Sequence, residues 1–358
     1  MAILAITITT SDANAEKNTG PSADNRPNVV YIVLDDVGYA DLGCYGSEIE
    51  TANMDRLAAD GLSYNNFHVT PTCSPTRAAL LTGRNSHSVG MGVIAEVDLG
   101  PEQPAYRGRV THAAATAAQL LRSEGYSTFA VGKWHLVPNY QATAAGPFEY
   151  WPLGKGFNRF YGFMHGSTDQ FAPELVEDNK VIEAPKKNGY NLTHDLIDNA
   201  IGMLRNHVSI MPERPFFLYL GTPGMHAPHQ APAEYLDRYK GVYDKGWDKI
   251  REDRFKRQRK MGLIPASADL APPNPGVKPW DHLSDNEKRV FARFQEIYAG
   301  FLEQTDTEIG RLLTELKHLG KLENTLIVLL SDNGGSQEGG PNGSVNHSAY
   351  YNGITESP

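Results

Sequence analysis

Four stretches of the chain are apolar with no polar alternation, and each runs directly into polar residues. Residues 29–34 lead into Asp35 and Asp36, 127–132 into Lys133 and His135, 215–221 into a proline-ribbed loop with His226 and His229, and 324–331 into Asp332 and Asn333. Unbroken apolar runs of this length predict strands buried on both faces, as in a parallel sheet. Between them the period changes to that of a helix. A stripe of Met54, Leu57 and Ala58 ends at Gly61; residues 113–124 form a second helical pattern ending at Gly125; Leu196, Ile197, Ala200, Met203 and Leu204 make a third. The longest pattern covers 285–319, with Phe291, Phe294, Ile297 and Phe301 in its first half, and Gly320 ends it. Alternating strands and helices predict an α/β fold: a mixed, largely parallel sheet flanked by helices on both faces. Its carboxyl edge, where such sheets bind ligands, collects the polar clusters.

The remaining segments are less regular. Residues 138–193 are rich in Gly, Pro and aromatics and predict long loops with a short hairpin around Val181. Residues 233–285 form an insertion, within which 245–260 carries eight Lys or Arg against three Asp or Glu, the pattern of a solvated helix. At the N-terminus, AILAITITT and a polar stretch to Arg26 make a leader over 1–27, and Ala13-Asn14-Ala15 resembles a signal cleavage site, although no Lys or Arg precedes the apolar run. A periplasmic or secreted protein is the expectation, a cytoplasmic one the alternative. No run approaches the ~20 apolar residues of a membrane span. Forty-two acidic against 33 basic residues give a net charge of −9, which argues against nucleic acid as a partner. Two cysteines cannot build a disulfide scaffold.

One of those cysteines stands in PTCSPTRAALLTGR, residues 71–84. Pro75 suits the first helical position, where a missing N–H costs nothing, and Ala78, Ala79, Leu80 and Leu81 extend the helix, so Cys73 falls just before it, at its N-terminus, with Arg77 one turn in. Unpaired N–H groups and a fixed cation make that place suited to an anion. Asp35, Asp36, Asp332 and Asn333 offer only oxygen, the donor set of a hard divalent cation. Cys44, in DLGCYGS, has the ordinary character of a buried thiol.

C-S-P-T-R followed by A-A-L-L-T-G-R resembles the signature of type I sulfatases. G-K-W-H-L at 132–136 and H-A-P-H-Q-A-P at 226–232 match further blocks, and 243–265 resembles a segment of large bacterial arylsulfatases of the alkaline phosphatase superfamily. The resemblance implies that a formylglycine-generating enzyme converts Cys73 to formylglycine, an aldehyde acting as its hydrate. Asp35, Asp36, Asp332 and Asn333 would hold Ca2+, with Mg2+ possible, and an oxygen at position 73 would complete the sphere. The metal and Arg77 would stabilise the attacking alkoxide, and Lys133 would pair with sulfate oxygens. His226 would protonate the departing alcohol of a small-molecule or glycan sulfate ester, and His135 would deprotonate the second hydroxyl so that sulfate leaves. His229 would only cap its loop, and Arg84 would orient the Cys73 turn.

The resemblance runs from about Asn28 to Gly335, and a catalytic domain is assigned to 28–358. Family members continue further, with another active-site lysine and a small C-terminal subdomain, so the expected domain is C-terminally truncated. A phosphonate or phosphodiester hydrolase of the same superfamily, and an inactive anion-binding relative, are the alternatives.

Overall fold

The computed structural model describes residues 2–6, 25–336, 340, 343–344 and 352–354. Its strands are β1 (Ala2–Ile6), β2 (Asn28–Leu34), β3 (Leu62–Ser63), β4 (Ser127–Lys133), β5 (Arg159–Phe163), β6 (Leu175–Glu177), β7 (Lys180–Ile182), β8 (Phe216–Gly221) and β9 (Thr325–Ser331). They form one sheet in the order β3-β1-β9-β2-β8-β4-β5-β6-β7. The strands β9, β2, β8, β4 and β5 run parallel, while β1, β3, β6 and β7 add antiparallel margins. The helices are α1 (Ala52–Asp60), α2 (Cys73–Thr82), α3 (Ala117–Ser123), α4 (Leu192–Ile210), α5 (Ala233–Leu236), α6 (Gly246–Lys260) and α7 (Asp285–His318). The predicted α/β fold is the one formed.

Every residue of β4 and β8 is buried, which is why their sequences show no alternation. One face of the sheet packs Ile32, Leu218 and Leu220 against Leu196 and Ile197 of α4 and Ile309 and Leu312 of α7. The other packs Val33, Phe217 and Tyr219 against Ala78 and Leu81 of α2 and Ala118 of α3. α7 opens with a capping box between Ser284 and Glu287, and Gly320 beyond its end takes a left-handed φ of 65°.

Several segments differ from the sequence pattern. α3 begins at Ala117, not at 113, because Thr116 caps it and accepts from the Gln119 N–H. The irregular region contains β5, a parallel strand too short to show a period. The hairpin near Val181 is β6–β7, turned through Asp178 at φ 56°. α6 is not a free solvated helix: Arg254 binds Asp41 and Glu48, Arg257 binds Glu48, and Gln258 donates to the Tyr45 carbonyl. Its basic face is docked on the loop that follows β2. Residues 2–6 of the apolar leader pair with β9 and β3, while Ala13–Ala15 lie outside the described residues, as does part of the loop beyond Ser336. No helix among the described residues is long and apolar enough to cross a membrane.

Three glycines lie side by side where the sheet meets the polar edge. Gly132 of β4 is in register with Gly162 of β5 and Gly221 of β8. A Cβ on Gly132, whose φ is 95°, would stand 1.9 Å from the Gly221 oxygen, and one on Gly162 would stand 2.0 Å from the Gly132 oxygen. The strands therefore approach at this level only without side chains, and the next residue, Lys133, is delivered to the edge. Gly132→Ala is expected to lower unfolding free energy by about 3 kcal/mol or more in urea denaturation. Gly100→Ala, with nothing within 4 Å, should cost about 1 kcal/mol. Equal losses at the two sites would contradict the packing argument.

Candidate active site

The ends of β2 and β9 are stitched together before any side chain meets a ligand. The Asp332 N–H donates to the Leu34 carbonyl at 3.0 Å, and the Val37 N–H donates to Ser331 Oγ at 3.0 Å. This holds Asp35 and Asp332, both fully buried, on the same edge. Asp36 turns out of β2 through a left-handed φ of 60°, a conformation that costs a non-glycine residue energy and gathers at functional sites. Its carboxylate accepts from Asn333 Nδ2. The loop after β8 is tied in by the Asp35 N–H, which donates to the Gly224 carbonyl at 3.0 Å.

α2 begins at Cys73, with Thr72 at the N-cap, so Pro75 is its third residue and not its first; Cys73 lies within the first turn and is buried. Its sulfur and carboxylate oxygens of Asp35 and Asp332 all lie within 4.8 Å of one another. Two buried cations face this group. Arg77 donates from Nε to Asp332 Oδ2 at 2.7 Å and stands 3.7 Å from Asp35, and Lys133 Nζ meets Asp35 Oδ2 at 2.6 Å. Three carboxylates against two fixed cations leave one negative charge uncompensated. Burial pushes the Asp36 and Asp332 carboxyls above the usual carboxylate range, the Asp35 charge adding to the effect at Asp332.

The donors fit a divalent ion. Asp35 Oδ1 and Asn333 Oδ1 are buried with no hydrogen-bond partner, so two oxygens of the set are left unpaired where buried acceptors are normally satisfied. Asp35, Asp36, Asp332 and Asn333 would hold the ion.

His135 also adopts a left-handed backbone, φ 54°, beyond β4. Its Nδ1 lies 3.1 Å from Cys73 Sγ, and its Nε2 lies 2.8 and 2.9 Å from the Glu96 carboxylate oxygens. Burial, with Lys133 and Arg77 adding positive charge, lowers the imidazole pKa to about 4 against the pull of Glu96. The ring is therefore neutral near pH 7. Its one proton belongs on Nε2, facing Glu96, and Nδ1 presents a lone pair to position 73. Burial pushes Glu96 up, but its contacts with His135, its own backbone N–H and the Lys133 charge together outweigh that and bring it to about 2. Burial raises the Cys73 thiol to about 12, so the unmodified sulfur is protonated and is no nucleophile at neutral pH.

His226 is buried, with Nδ1 donating to the Ala227 carbonyl at 2.8 Å, and its charge acts on Asp36. The structure thus brings Asp35, Asp36, Cys73, Arg77, Lys133, His135, His226, Asp332 and Asn333 to one edge. His229 bonds the Met225 carbonyl at 3.0 Å, the loop-closing role expected of it. Arg84 does not orient the Cys73 turn: it is exposed, and among the described residues no hydrogen bond ties it there. Arg77 reaches the centre through Asp332, not as a free cation. Glu96 escaped the sequence analysis. It lies in a Gly- and Pro-rich connection with no periodicity, 39 residues from its partner.

These features define an α/β domain with a largely parallel sheet whose edge gathers buried oxygen donors able to hold a cation beside the first turn of α2. The sulfatase family model matches residues 27–358, and the chain belongs to the sulfatase family. An uncharacterised sulfatase of Schizosaccharomyces pombe is 36% identical over 86% of this chain and 58% of its own length, and an arylsulfatase of Klebsiella aerogenes is 32% identical over 86% and 66%. The solved structure Ps i-CgsB, in complex with k-i-k-neocarrahexaose, is 26% identical with a TM-score of 0.61, covering 87% of this chain and 59% of its own. The chain thus spans roughly three fifths to two thirds of the length of these proteins.

The Glu96–His135 geometry is open to direct measurement. Nitrogen-15 NMR should find His135 as the Nε2–H tautomer in the wild type and a mixture of tautomers in Glu96→Leu. A wild-type ring protonated at Nδ1 would contradict the assignment.

Proposed function

We propose that this chain carries the catalytic centre of a sulfate monoester hydrolase of arylsulfatase type, with Cys73 converted to formylglycine by a formylglycine-generating enzyme. The observation that carries the reading is the placement of Cys73 Sγ within 4.8 Å of carboxylate oxygens of Asp35 and Asp332, with His135 Nδ1 at 3.1 Å. A residue with a thiol held protonated by burial contributes little there as a thiol.

When bound and formed, Ca2+ and the hydrated aldehyde at position 73 supply charge compensation and an oxygen nucleophile facing the ester sulfur. The protein side chains do the rest. Arg77 fixes Asp332 and offsets its charge. Lys133, anchored on Asp35, presents its ammonium to the sulfate oxygens. His226 protonates the departing alcohol oxygen as the S–O bond breaks, its ring held by the Ala227 carbonyl. His135 then removes the proton at position 73 whose loss releases sulfate, and Glu96 holds its ring for that step.

Charge favours an anionic ester. A divalent cation turns the single excess negative charge of the carboxylate–Arg77–Lys133 cluster into a single excess positive one, and a protonated His226 beside Asp36 adds another. A sulfate monoester, a monoanion, fits that field, and so does a phosphate monoester. A phosphodiester or phosphonate monoester is also a monoanion, so side-by-side hydrolysis of 4-nitrophenyl sulfate and bis(4-nitrophenyl) phosphate decides between them. Periplasmic or secreted location is proposed on the leader sequence alone.

After co-expression with a formylglycine-generating enzyme, the peptide containing residue 73 should have the mass of the aldehyde, and 4-nitrophenyl sulfate should be cleaved. Cys73→Ala should lower turnover at least about a thousandfold with the fold retained; undiminished turnover would refute the mechanism. If the protein is exported, its mature N-terminus should be Glu16, and retention of Met1 on secreted protein would contradict cleavage after Ala15.

A further inference from the structure

Beside Asp36 a cavity of about 380 Å³ opens between the β2 edge, α6 and α7, a size suited to a small organic ligand. Its wall is aromatic: Tyr243 and Trp247 come from the insertion, Trp280 from the turn before α7, and Phe291 and Tyr298 from α7. The rings brace one another, with Trp247 4.9 Å from Trp280 and 5.5 Å from Phe291 between centroids. Asp36 belongs both to the proposed cation site and to this cavity, and Gly335 and Ser336, just after Asn333, line it as well. A group joined through sulfate to the centre can therefore extend into the recess.

Among the described residues most polar atoms of the wall are spent on the protein, the Tyr243 hydroxyl and the Gln295 amide excepted. Arg254 is held by both Asp41 and Glu48, Tyr298 Oη donates to Asp41 at 2.8 Å, and Trp247 Nε1 donates to the Lys278 carbonyl at 3.1 Å. His229 is bonded to the Met225 carbonyl, and Arg251 donates to the Ala271 carbonyl at 2.9 Å. Tyr243 is buried with its hydroxyl unpartnered. A sugar ring would bring several hydroxyls into this wall, and each one buried without a partner weakens binding by roughly tenfold. A fused aromatic ring needs no such partners and stacks on the walls.

We infer that the recess lined by Tyr243, Trp247, Trp280, Phe291 and Tyr298 is the subsite for the alcohol half of the ester, and that it selects flat, apolar aryl groups over sugars. This rests on the hydrolase reading, deepens it, and gives the insertion a role in specificity. Titration calorimetry in calcium on the unconverted protein uses 2-naphthalenesulfonate, a non-hydrolysable aryl anion, as the probe and glucosamine 6-sulfate as the comparator. Trp247→Ala removes a wall, and Ala292→Phe fills the space from α7, where Ala292 lines the cavity.

Both variants should weaken naphthalenesulfonate binding about tenfold or more. Glucosamine 6-sulfate should bind the wild type at least tenfold more weakly than the probe and be unaffected by either substitution. Unchanged probe affinity in both variants, or equal affinity of the wild type for probe and sugar, would overturn the assignment. Sulfate release from 2-naphthyl sulfate by the converted protein is read separately. Its absence alongside the expected binding would sink the hydrolase reading and leave the recess standing. Turnover with an unaltered KM in both variants would overturn the recess and leave the hydrolase.

Discussion

Mutual repulsion among Asp35, Asp36 and Asp332 is the constraint around which the edge of this sheet is built. At about 4 Å and an effective dielectric of 20, one unit-charge pair is worth roughly 4 kcal/mol, so three carboxylates cannot be gathered without cations among them. Arg77 and Lys133 supply two, both fully buried and both bonded to the acids they offset. The residual negative charge, with the unpartnered oxygens of Asp35 and Asn333, is a demand for a cation that the chain does not itself meet. Removing one member of such a cluster strands its partner, which generally costs 3–5 kcal/mol.

The fold meets this demand through register. β2 and β9 are parallel neighbours, so their acidic ends fall at the same height, and β8 and β4 bring the His226 loop and Lys133 to that height from the other side. Side-chain-free contact among Gly132, Gly162 and Gly221 allows the central strands to close at this level. α2 then places Cys73 over the acids, and Arg77, one turn on, reaches past it to Asp332. A single helical turn therefore fixes both the reacting position and the group that steadies its ligands.

Much of this was legible because the apolar runs are contiguous with the polar residues they carry: a buried parallel strand writes its end into the sequence as an abrupt change. Asp35, Lys133 and Asp332 could be assigned to one edge for that reason, and Cys73 because proline and alanine mark the start of its helix. Glu96 could not be found that way. Its role depends on a fold-back of an aperiodic loop onto His135, and no local pattern records the meeting. α6 failed differently, since alternating charge looks alike whether it faces water or the acidic residues Asp41 and Glu48. Arg84 was overvalued because a helix-terminal arginine next to a reactive turn has the right position but, here, the wrong direction. The recess walled by Trp247 and Trp280 is a product of the same docking of α6, which explains why an insertion with no legible chemistry can shape the approach to the centre.

Everything said of the chemistry depends on the acidic edge being a cation site that includes position 73. A crystal structure determined in millimolar calcium measures this directly. The ion should lie about 2.3–2.6 Å from carboxylate oxygens of Asp35, Asp36 and Asp332 and from Asn333 Oδ1, with residue 73 facing it. Calcium bound elsewhere, with Asp35 still facing only Lys133 and Arg77, would contradict it.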